Sequence, residues 1–149
     1  MQIVTKSGRA TKKLGEMLAR ECLSIEMPRA LVLALSGELG AGKTTFTQGF
    51  MKGLGVRRRI QSPTFVVFKK FSIPAKKSPF ATVIHVDAYR LNNARELRVL
   101  GFADELKKPK NIILIEWPER VKGIIPKHHI RISFSHTHKN ERILSIREL

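Results

Sequence analysis

A glycine-rich octapeptide constrains this chain more than any other feature. Gly37-Glu38-Leu39-Gly40-Ala41-Gly42-Lys43-Thr44 fits G-x-x-x-x-G-K-[ST] without a gap. It follows Ala30-Leu-Val-Leu-Ala-Leu-Ser36, a continuous apolar run of the kind buried on both faces of a parallel sheet. It opens a stretch, about Lys43 to Leu54, that reads as a helix. Strand, glycine turn and helix in that order make a phosphate cradle. Glycines let the backbone turn its N–H groups inward around phosphate oxygens. The helix N-terminus adds partial positive charge. Lys43 would reach the β- and γ-phosphates, and the Thr44 hydroxyl would bind Mg²⁺. The dinucleotide fingerprint G-x-G-x-x-G is absent, which argues against a nicotinamide enzyme.

Phosphoryl chemistry on such a loop needs an acid at the end of a neighbouring strand to hold the metal. Asp87 ends Thr82-Val-Ile-His-Val86, and Glu116 ends Ile112-Ile-Leu-Ile115. In an open parallel sheet ligands sit outside the carboxyl ends of the strands, so both acids can face the phosphates. Either could instead cap a helix or lie on the surface. Pattern alone does not separate a metal-binding acid from one that orients water. His85, on a buried strand, reads as a hydrogen-bonded core residue.

The rest of the chain supplies an α/β alternation. Gly8 to Ser24 reads as a helix with a buried stripe of Leu14, Met17, Leu18 and Cys22. Thr64 to Phe71 reads as a strand, Ile73 to Pro79 as a loop, and Ala81 to Val86 as a strand. A short helix over Asn93 to Leu100 and a strand over Asn111 to Ile115 follow. His129 to Ser135 and Arg142 to Arg147 form a terminal hairpin. The expected fold is a three-layer α/β P-loop NTPase domain spanning residues 1–149. Its sheet would be mostly parallel, with a C-terminal antiparallel hairpin. At 149 residues the chain buries enough surface to need no disulfide. A lone cysteine and no apolar leader fit a cytoplasmic protein, and no apolar run is long enough to span a bilayer.

Four segments together resemble the TsaE (YjeE) family, the small ATPases of bacterial tRNA threonylcarbamoyladenosine synthesis. They are Gly37 to Phe46, Ser62-Pro63-Thr64-Phe65, His85-Val-Asp-Ala-Tyr-Arg-Leu91 and Glu116-Trp117-Pro118, in the family's order and spacing. The resemblance runs from about Thr11 to Ile132. It implies a cytoplasmic ATPase that uses ATP and Mg²⁺ and acts with two proteins, TsaB and TsaD, whose complex it resets between turnovers. The threonylcarbamoyl transfer itself belongs to those partners. Glu116 matches the family's magnesium-site acid, while Asp87 matches an aspartate that positions water or the metal shell. Lys43 and Thr44 keep their roles, and Thr45 continues the loop. Ser62, Pro63 and Thr64 match a nucleotide-sensing loop. Trp117 and Tyr89 match positions at the nucleotide pocket or partner surface, and Thr11 a position near the nucleotide.

Read from the residues alone, Trp117 and Tyr89 also suit core packing, and Ser62-Pro63-Thr64 an ordinary turn. The chain departs from the family in charge: 28 Lys and Arg against 12 Asp and Glu give +16. Runs such as Arg57-Arg58-Arg59, Lys69-Lys70, Lys76-Lys77 and Lys107-Lys108 suit tRNA, acidic partners or a solvated face. No aromatic stacking motif accompanies them, so a dedicated single-strand reader is disfavoured. A small-molecule kinase on the same loop would need an arginine-rich lid and an acceptor pocket, for which few residues remain. A nucleotide-sensing module that binds nucleic acid is the third reading. Turnover by the isolated chain would be slow if partner groups complete the site in trans.

Overall fold

The apolar runs form the centre of one sheet. The computed structural model describes residues 1–57 and 67–149. In chain order these form β1 (Gln2–Thr5), α1 (Gly8–Cys22), β2 (Leu31–Ser36), α2 (Lys43–Gly53), β3 (Phe68–Ser72) and β4 (Thr82–Asp87). There follow α3 (Arg95–Val99), α4 (Phe102–Lys107), β5 (Asn111–Glu116), a 3₁₀ segment (Pro118–Ile124), β6 (Ile130–His136) and β7 (Arg142–Glu148). The strand order is β1-β7-β6-β2-β5-β4-β3. β6, β2, β5 and β4 run parallel. β3 pairs antiparallel at one edge, and β7 and β1 do so at the other. The parallel core and the C-terminal hairpin agree with the sequence reading.

Each face of the sheet carries its own core, which makes three layers. Leu31, Leu33 and Leu35 face Phe46, Phe50 and Met51 of α2 and Ala19 and Cys22 of α1. Val32, Ile84, Ile113 and Ile115 face Leu97, Phe102 and Val121 on the opposite side. Alternation along each strand sends successive side chains to opposite cores, so a parallel strand buried on both faces must be apolar throughout.

The stripe expected on α1 is corrected in part. Cys22 is buried, but Met17 is 55% exposed and Leu14 and Leu18 are only half-buried. The buried face is Thr11, Gly15, Glu16, Ala19 and Cys22. The reason is backbone contact between α1 and α2. A Cβ on Gly49 would lie 1.9 Å from the Lys12 carbonyl oxygen, and one on Gly15 would lie 2.4 Å from that of Phe46. Small residues let the helices meet, and a stripe of glycine and alanine leaves no hydrophobic period to read. Burial pushes the Cys22 thiol up to about 12, with the Glu21 charge adding to it, so this sulfur packs as a small hydrophobe.

Three elements escape sequence periodicity. β1 is four residues long and exists through pairing with β7, from Gln2 opposite Ser145 to Thr5 opposite Arg142. α4 is anchored by fully buried Phe102. The 3₁₀ segment begins at Pro118, whose ring pre-sets the first helical turn. The expected helix over Asn93 to Leu100 shortens to Arg95–Val99. The beginning of the strand expected from Thr64 lies outside the described residues, and β3 runs to Ser72.

Glu105 ties α4 to both flanking strands. Lys70 of β3 donates to its Oε1 at 2.5 Å, Lys108 to the same oxygen at 2.9 Å, and Asn111 of β5 to Oε2 at 2.8 Å. Burial alone would raise this carboxyl, but the three donors outweigh it and hold it at about 2. Two of the lysines in the basic runs are thus engaged within the fold.

Two predictions follow from this packing. Gly49→Ala should destabilise the protein by about 1–3 kcal/mol or more, read as a lower urea midpoint, because neither backbone can give way. The folded carboxyl of Glu105 titrates below its unfolded value, so its stabilisation is present above about pH 4.5 and fades as pH falls toward about 2. Glu105→Gln should therefore lower the urea midpoint at neutral pH and reduce the midpoint's decline between about pH 5 and pH 2.

Candidate functional site

Parallel pairing in register brings the strand ends together. Leu35 of β2 lies opposite Glu116 of β5, and Glu116 lies opposite Asp87 of β4. The glycine loop leaves β2 at this edge and enters α2. Gly42, the N-cap of α2, has φ 105° and gives no side-chain cap, so the first N–H groups of the helix stay available to an anion. A Cβ on Gly42 would lie 2.9 Å from Arg142 Cδ and 3.0 Å from its Nε. At Gly37, φ 145°, a Cβ would lie 2.7 Å from the Phe134 carbonyl oxygen. Both glycines are required by space as well as by backbone conformation.

A cleft of about 220 Å³ opens over the loop, lined by Leu39, Gly40, Gly42, Lys43, Thr44, Thr45, Asp87, Tyr89, Glu116, Trp117 and Arg142. Hollows of about 650 and 760 Å³ lie elsewhere on the molecule, but among the described residues no carboxylate lines either. Chemistry, not size, therefore marks the site. Lys43 donates to the carbonyl oxygens of Gly37 and, at 2.9 Å, of Glu38. Its Nζ stands 4.1 Å from the centre of the Trp117 ring. Burial pushes this ammonium below the ordinary lysine value, while the charges of Glu116, Glu119 and Asp87 push the other way.

The two acids stand in different surroundings. Glu116 is 2% exposed. Its Oε1 accepts from Thr47 Oγ1 at 3.2 Å and pairs with His85 Nε2 at 3.1 Å. Asp87 is half-buried and its Oδ1 accepts the Tyr89 N–H at 3.1 Å. Burial raises the Asp87 carboxyl above its usual range. The Tyr89 N–H opposes that rise, the Glu116 charge adds to it, and His85 and Lys43 oppose it.

Trp117 follows Glu116 in the left-handed region, φ 59°, a conformation that costs a non-glycine residue about 1–2 kcal/mol. Its N–H donates to the Leu35 carbonyl at 3.2 Å, which pins the backbone, and its ring packs on Tyr89 with centroids 4.9 Å apart.

Most of the residues singled out in the sequence converge on this cleft. Gly37 and Glu38 contribute carbonyls to Lys43, and Ala41, within the loop, is fully buried. Thr11 stands behind Gly42 and is fully buried. Its hydroxyl lies 2.7 Å from that of Thr5 and donates to the Ser7 carbonyl at 3.1 Å. Ser62, Pro63 and Thr64 lie outside the described residues. Arg142 and Thr47 went unnoticed in the sequence. Arg142 lies more than ninety residues downstream in an ordinary-looking strand, and its buried Nε has no hydrogen-bond partner among the described residues. Thr47 carries no motif beyond its place one turn after Thr44.

The model of the family described as Threonylcarbamoyl adenosine biosynthesis protein TsaE matches residues 5–144. A tRNA threonylcarbamoyladenosine biosynthesis protein TsaE from Haemophilus influenzae is 33% identical over 124 residues, covering 83% of this chain and 75% of its own. The protein of the same name from Rickettsia felis is 36% identical over 145 residues, covering 97% and 78%. Among solved structures, the crystal structure of Bacillus subtilis YdiB is similar at a TM-score of 0.76 and 26% identity, over 98% of this chain and 83% of that one.

Trp117 is the sole tryptophan, so it reports on this cleft alone. Removing the ammonium over its ring in Lys43→Met should shift or change the intensity of tryptophan emission while the far-ultraviolet circular dichroism stays unchanged. Identical emission spectra would place the lysine away from the indole in solution.

Proposed function

This chain belongs to the TsaE family, and on that premise we propose that it binds and hydrolyses ATP with Mg²⁺ in tRNA threonylcarbamoyladenosine biosynthesis. The observation that carries this reading is convergence. One cleft holds a glycine loop, an uncapped helix N-terminus, a lysine hydrogen-bonded to backbone carbonyls, and two carboxylates at adjacent strand ends. Phosphates would take over the Gly37 and Glu38 carbonyls' place as partners of Lys43.

The donor set suits magnesium. The Thr44 hydroxyl and the carboxylates of Asp87 and Glu116 are hard oxygen donors on one cleft. Among the described residues no three His, Cys, Asp or Glu side chains form a metal cage. Magnesium is ordinarily held by one or two carboxylates together with substrate phosphates. Thr44 and Glu116 would hold Mg²⁺, and Asp87 would orient water or the metal shell. When bound, the ion would neutralise charge developing on the phosphoryl oxygens. Lys43 would steady the transferring phosphate, and Trp117 would form a wall of the pocket.

The assignment extends to partners and place. The protein works in the cytoplasm beside TsaB and TsaD, which carry out the threonylcarbamoyl transfer, and its hydrolysis resets their complex. Contact with tRNA runs through those partners or through the basic runs; of these, Lys70 and Lys108 already serve Glu105. No described helix is long and apolar enough to cross a membrane.

ATP hydrolysis by the purified chain, alone and with TsaB and TsaD, tests the proposal. Turnover should be slow alone, rise with the pair, and fall about 100- to 1,000-fold or more in Lys43→Ala. Turnover indifferent to the pair would reduce the protein to a generic nucleotide binder. Modification supported equally by Lys43→Ala would end the ATPase role.

A further inference from the structure

We propose that His85 is a positioning residue for the metal site, holding one oxygen of Glu116 so that the other turns to the cleft. This rests on the reading of Glu116 as the magnesium acid. Three observations carry it. First, His85 and Glu116 are both nearly inaccessible, at 1% and 2% exposure, so the contact between them is shielded from water. Second, His85 Nε2 and the Thr47 hydroxyl both meet the same oxygen, Oε1, at 3.1 and 3.2 Å. They approach from different elements, β4 and α2, and so restrain the carboxylate from two sides. Third, Glu116 lines the cleft although it is almost wholly buried, so its carboxylate has little room to reorient.

The register explains why the histidine stands there. His85 is opposite Leu114 and Asp87 is opposite Glu116, so His85 and Asp87 project from the same face of β4, one pleat apart. Asp87 reaches the cleft, and His85 reaches the carboxylate beneath it. Groups that hydrogen-bond a metal-ligating side chain fix its orientation, and losing one typically weakens metal binding about 10- to 100-fold.

The test separates metal binding from nucleotide binding. Mn²⁺ would be titrated against the ADP complex by electron paramagnetic resonance, and ADP affinity would be measured in EDTA by calorimetry. His85→Ala should weaken Mn²⁺ binding about 10- to 100-fold and leave ADP affinity in EDTA unchanged. His85→Gln, whose side-chain amide reaches about as far as Nε2, should recover most of the loss. Thr47→Val keeps the volume, removes the other donor and should weaken Mn²⁺ binding in the same direction. It also serves if His85→Ala does not fold. Unchanged Mn²⁺ affinity in His85→Ala, or in Thr47→Val where that variant stands in, overturns the proposal. So does a glutamine variant as weak as alanine, or an equal loss of ADP affinity in EDTA. Glu116→Gln in the same titration distinguishes the two levels. If it loses Mn²⁺ while His85→Ala does not, only the positioning role fails. If Glu116→Gln binds Mn²⁺ normally, the metal assignment fails and takes this inference with it.

Discussion

Three strand ends side by side hold the site together, and parallel pairing is what places them there. β2, β5 and β4 point their carboxyl ends the same way, with Leu35, Glu116 and Asp87 in one row. The loop, both acids and Trp117 take their positions from that row. The loop departs from the end of β2, the two acids end β5 and β4, and Trp117 is tied to Leu35 by a backbone hydrogen bond. Such a row survives only if both faces of the strands are covered, because a parallel sheet buries its strands on both sides. The paired cores, with α1 and α2 on one face and α3, α4 and the 3₁₀ segment on the other, meet that need.

Charge in the cleft is balanced locally. Lys43 is poorly solvated, yet it has two carbonyls and an indole face to rest on, with the carboxylates of Asp87 and Glu116 nearby. Glu116 is differently placed: it is buried, and its partners come from the sheet and from α2. The ammonium is therefore held by a loop and the acid by the core. Asp87, half-buried with a raised carboxyl, lies between those extremes.

Much of this was legible in the amino-acid order. The glycine-rich loop has a contiguous pattern, and the central strands are unbroken apolar runs, so neither depends on distant residues to be seen. The acids at Asp87 and Glu116 were legible because a charged residue ending an apolar run has few other places to go. The α1 face was misread at Met17, because the helices meet through Gly15, Gly49 and Gly53. β1 was missed because four residues of mixed polarity become a strand only beside β7. Arg142 and Thr47 were missed for a related reason: each matters through a neighbour far away in the chain.

The amino-acid sequence by itself determined the fold class, the glycine-rich loop and the pair of candidate acids. Those are consequences of local pattern, where hydrophobic period and glycine placement act within a few residues. Only the tertiary structure decided which small residues join α1 to α2 and which oxygen of Glu116 is held by His85 and Thr47. It alone decided that Arg142 lies against Gly42, and that a strained Trp117 stands over Lys43. Those contacts depend on strand order, register and the distance between backbones, quantities that come into being when distant segments pack.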